Sequence, residues 1–164
     1  MFIWLILMMA TMNTYANEVK PMIKIPYHPK ATSHCYESIK TTRAPYRDAV
    51  AQMRSVIESQ AQFQEKLNKV LVLHQQVLKA KSDSEAEFQD MDVFLCCMYD
   101  MLQALYADES EKILASNADS NQRKEQLDTV AKSIDGLQFE SPQYRNVIRP
   151  KLVGIVTSAQ KKLK

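Results

Sequence analysis

Glycine is nearly missing from this chain: Gly136 and Gly154 are the only two in 164 residues. A sheet protein of this length draws on glycine for its tight hairpin turns, so the scarcity argues against an all-β architecture. Neither glycine sits in a phosphate-cradling setting, and no C-x-x-C-H haem attachment sequence is present. No Lys or Arg precedes the apolar run at residues 2–10, and no acid follows Glu140. A catalytic site needs an activated nucleophile or an acid–base pair held in a cleft, and no residue pattern here supplies one. The chain therefore reads as a non-enzyme with no cofactor.

What is plentiful is Ala, Leu, Gln, Lys, Glu and Met, the residues that lose least on entering a helix. The expected fold class is all-α: an antiparallel four-helix bundle with two long helices, preceded by a proline-rich extended arm. Three segments follow from the same reading: 1–16 a signal peptide, 17–44 an extended N-terminal arm with a short helix, and 45–164 the bundle domain.

The first segment carries the address. Residues 2–10 form an uncharged apolar run that as a helix would extend only about 14 Å, roughly half the hydrocarbon thickness of a bilayer. Thr14 and Ala16 supply the small residues of a cleavage site, which predicts a mature chain from Asn17. The expected localisation is export by the secretory pathway, into a periplasm or the extracellular space. Removal of the leader leaves 148 residues, a comfortable size for one domain.

The net charge of +2 hides strong segregation. Residues 83–128 hold twelve acids against Lys112, Arg123 and Lys124, whereas residues 141–164 hold Arg145, Arg149, Lys151, Lys161, Lys162 and Lys164 with no acid. Such asymmetry supports complementarity between parts of the chain or with a protein partner. Nucleic acid is not expected as a partner of an exported chain. Weak contact of the basic C-terminal helix with an anionic membrane surface is a further expectation, and a homodimer is another.

Three prolines between residues 17 and 31, Pro21, Pro26 and Pro29, forbid a continuous helix there, and a short helix from about Ser33 to Lys40 follows. From Pro45 to Lys81 apolar residues recur at helical spacing, among them Tyr46, Val50, Met53, Val56, Leu67, Val70, His74 and Val77. One helix of roughly 55 Å accounts for them, unless the polar run at 59–64 interrupts it. Ser84 and Glu87 have capping-box spacing and open a second long helix to about Ala115, with Phe88, Met91, Leu95, Met98, Leu102 and Leu105 as its stripe. The two long helices pair as an antiparallel hairpin. Asp119 or Ser120 caps a third helix that ends near Gly136 in the left-handed conformation. Ser141 and Pro142 open the last, which Pro150 kinks or splits.

Three cysteines in an oxidising compartment predict one bridge and one spare thiol. Adjacent positions on a helix point about 100° apart, so a Cys96–Cys97 bond would distort the backbone. Cys35 is therefore paired with Cys97, or alternatively Cys96, with about 3 to 4 kcal/mol expected from the loop it closes. The competing reading is a soft-metal site built from Cys96, Cys97, Met98 and Met101, whose sulfurs suit monovalent copper. His74 is expected at the border of the core.

The sequence therefore describes an exported helical protein that acts by protein contact, as an inhibitor, immunity factor, adaptor or chaperone. The alternative is a small-ligand or soft-metal-binding bundle. Candidate contact residues are the acids expected on the outer side of the hairpin, Asp90, Asp100, Asp108, Glu109 and Glu111, where solvated charge would steer a basic partner.

Overall fold

A computed structural model describes residues 32–80, 85–138 and 142–163. The expected leader at 1–16 and the proline-rich segment at 17–31 lie outside the described residues. Every regular element among those described is a helix: α1 Thr32–Ile39, α2 Ala44–Glu58, α3 Phe63–Ala80, α4 Glu85–Ala115, α5 Ser120–Asp135 and α6 Pro142–Lys161.

The helix expected over 45–81 is two. α2 stops at Glu58, where the Ser59 backbone N–H and hydroxyl both donate to the Val56 carbonyl (3.2 and 2.7 Å) and Ala61 N–H donates to Ser59 Oγ. A serine that offers its neighbours an alternative set of bonds competes with the helical ladder, and here it wins. α3 then returns alongside α2. The turn is closed by Lys66, only 3 % exposed, whose Nζ donates to the Ile57 carbonyl at 2.7 Å. A cation at the last carbonyls of a helix meets both an orphan acceptor and the negative end of its dipole.

The same device closes the turn between α4 and α5. Asp119 caps α5 through a full capping box with Gln122, and Arg123 Nη1 reaches back to the Leu114 carbonyl at 3.1 Å, at the end of α4. Gly136 ends α5 in the right-handed region (φ −78°, ψ −9°), not the left-handed one expected. α6 runs through Pro150 without a break, so of the two outcomes expected there the split does not occur, and Pro150 is exposed. α5 and α6 are tied by the Arg149–Asp135 ion pair and by Gln160 donating to Asp128 at 2.7 Å.

α4 is the hub. It packs against α1, α2, α3, α5 and α6, and between residues 91 and 102 only Val93 and Cys96 escape full burial. A helix inside such a ring has no single apolar stripe, and its polar members Asp92 and Asp100 are buried with the rest. The core is assembled on it: Phe94 meets Tyr46 edge-on at 6.0 Å and stacks on His74 at 6.2 Å, while Tyr106 meets Phe63 edge-on at 5.2 Å. His74, expected at the core border, is inside it at 2 % exposure.

Candidate functional site

The cysteines define the covalent frame. Cys35 on α1 is bonded to Cys97 on α4, with Cα atoms 5.4 Å apart and a sequence separation of 62. Both sulfurs lie in the core, so the bridge pins the first described helix to the hub. Cys96 is the free thiol and is half-buried. Burial, reinforced by the Asp100 carboxylate one turn along, pushes its thiol up to about 11. At neutral pH that sulfur holds its proton and is a poor nucleophile.

The copper set fares badly on this geometry. Cys97 is consumed by the disulfide, and Met98 and Met101 are core side chains at 2 % and 3 % exposure. Among the described residues no group of three or more His, Cys, Asp or Glu is placed to hold a metal ion.

The five acids separate into three environments. Asp100 is only 6 % exposed, which corrects its expected place on the outer face. Its charge acts on Cys96, on Tyr36 of α1 and on Lys151 of α6, where it opposes the downward shift that burial imposes on the lysine. Asp90 is engaged at the start of α2: it accepts from Arg43 Nε at 2.6 Å and from the Arg43 backbone N–H at 3.3 Å. A carboxylate at a helix N-terminus is favourably placed against the dipole. Asp108 and Glu111 are exposed and Glu109 is half-exposed, with Asp108 paired to Lys112 at 2.7 Å. Only this last group, at the C-terminal end of α4, presents charge to solvent.

Surface features outside that set had no counterpart in the sequence reading. A shallow open groove of about 460 Å³ runs between α2 and α3, lined by Gln52, Ser55, Val56, Asn68, Lys69, Val72 and Leu73. Val72 is 56 % exposed over it. The paired positions follow from the antiparallel return of α3, which the expectation of one long helix hid. Two further aliphatic side chains, Val147 and Val153, stand exposed on α6. No described helix is long and apolar enough to cross a membrane. No protein-family model, curated protein or solved structure matches the chain.

Proposed function

We propose that this is an exported helical protein that works by protein contact, in the manner of an inhibitor, immunity factor, adaptor or chaperone. In this reading residues 1–16 are a leader removed on export, and the proline-rich residues 17–31 are an extended arm joined to a helical bundle. The Cys35–Cys97 bridge supports the address, because such bonds persist in oxidising compartments. The observation that carries the contact reading is the α2–α3 groove, where Val72 stands exposed above Val56 and Leu73 between polar rims. An apolar strip with a polar border is the anatomy of a contact surface, and its helical walls are rigid.

The reading is tested in cells that produce the chain. Amino-terminal sequencing of the purified protein is expected to begin at Asn17, and thiol counting to find one free sulfhydryl. The full chain used as bait should retain a stoichiometric partner that Val72→Glu releases while leaving the helical circular dichroism unchanged. An intact residue 1–16 segment would overturn the address; a partner set indifferent to Val72→Glu would overturn the groove as the contact.

A further inference from the structure

α1 is laid along α4 in the opposite direction. Arg43, just beyond α1, reaches Asp90, Cys35 is bonded to Cys97, and the Asp100 charge acts on Tyr36. Going back along α1 towards its amino end is therefore going forward along α4, and that end stands near the level of Asp100. The bridge at Cys35 holds it there.

The face of α4 that lies under α1 continues past this point. At 100° per residue, Ala104, Asp108, Glu111 and Ala115 all lie within about 40° of the direction of Cys97. Cys97 and Asp100 are buried, whereas all four later residues are exposed. The cover stops where α1 begins, and the bare track from Asp100 to Ala115 is about 22 Å long.

The chain that leads into α1 suits this track in length and in charge. Pro26 and Pro29 bar it from continuing as helix. Extended at about 3.1 Å per residue, residues 24–31 span about 25 Å. They carry Lys24 and Lys30 and no acid, whereas residues 104–112 carry Asp108, Glu109 and Glu111 against Lys112, so two surplus positive charges face two surplus negative ones. Asp108 is held by Lys112 in an exposed pair within one helix, which exchanges partners at little cost.

We propose that residues 24–31 dock along α4 from Ala104 to Ala115, antiparallel to it, with Lys24 and Lys30 against the carboxylates of Asp108 and Glu111. The proposal rests on the extended arm of the reading above and gives that arm a seat. Seated there, it screens the acids at the end of α4 from basic partners and leaves the α2–α3 groove to receive one. A second copy of the chain is the poorer occupant, because direct linkage to α1 holds the chain's own segment at high effective concentration. An anionic bilayer is poorer too, since the same acids repel it.

The test treats the full chain, as isolated from the cells that make it, with a carbodiimide, which joins a lysine to a carboxylate in contact with it. Peptide mapping of the monomer is expected to show Lys24 or Lys30 linked to Asp108 or Glu111. Trypsin should cut after Lys24 and Lys30 about tenfold faster when D108K and E111K are combined, with the helical circular dichroism unchanged. Adding K24E and K30E to that variant swaps the charges and should restore links between the same positions, which a merely structural effect of the first two changes would not do. Links only between chains or only to other carboxylates would overturn the proposal, as would no link, or equal trypsin rates. Amino-terminal sequencing of the same sample separates the two readings. A chain that begins at Asn17 and forms no such link removes the seat and leaves the arm, and one that begins beyond residue 31 removes both. An intact residue 1–16 segment together with the link overturns the address alone.

Discussion

At the residue scale, Asp100 and Cys96 show how far burial changes a side chain's chemistry. Asp100 is a surface acid by composition and a core residue by position, and the neighbouring thiol is pushed up to about 11 by desolvation and that charge. Against an ordinary thiol near 9, about a hundredfold less thiolate is present at pH 8. Alkylation of Cys96 in the folded protein should therefore run about a hundredfold slower than in urea, with mass spectrometry as the readout; equal rates would contradict its burial. The same shift sets a pH limit. A thiol that ionises near 9 when unfolded and near 11 when folded leaves stability untouched below pH 9 and lowers it between 9 and 11. Tyr106, raised by burial to about 12 against the opposing Ser133 hydrogen bond, extends that decline. Denaturant midpoints should thus be flat from pH 7 to 9 and fall above it, more gently in Cys96→Ala. Little of this was legible in the sequence, because burial of Asp100 depends on α1 and α6 closing over α4 from remote parts of the chain.

At the element scale the sequence was informative wherever a local signal sat at a terminus. Asp119 announced α5, Pro142 opened α6, and the short helix before residue 40 is α1. It misled where the outcome turned on competition. Ser59 could join a helix or end it, and the buried bond from Lys66 to Ile57, invisible to periodicity, stabilises the ended form. Lys66→Met should keep the aliphatic packing but leave that carbonyl without its donor, at a cost of about 1 to 3 kcal/mol in urea unfolding. An unchanged midpoint would show that water replaces the ammonium. On α6 the expected sign is the opposite. Gly154→Ala meets open space and should stabilise the isolated chain by about 0.5 to 1 kcal/mol, read as a higher Tm.

At the scale of the whole molecule everything converges on α4. Leu102 is 1 % exposed within it, and Leu102→Ala should cost about 2 to 5 kcal/mol, since the surrounding helices cannot all collapse into the void. Amide exchange should be slowest across residues 94–106 and faster at the first turn of α5; uniform protection would argue against a hub. Reducing the Cys35–Cys97 bridge frees a loop of 62 residues, for which chain entropy predicts a loss of about 4 kcal/mol, visible as a lower midpoint with reductant. The hub also imposes an order of assembly. A chain that emerges amino-terminus first exposes α1, α2 and α3 before any of α4 exists, so the sides of these helices that pack on α4 wait for it. Cys35 must wait as an unpaired thiol until a pair of adjacent sulfurs arrives 61 and 62 residues later, only one of which is its partner. Newly made chains are thus most vulnerable to mispairing at the moment α4 appears, and a cell with a disulfide-shuffling catalyst should accumulate the native isomer where one lacking it does not.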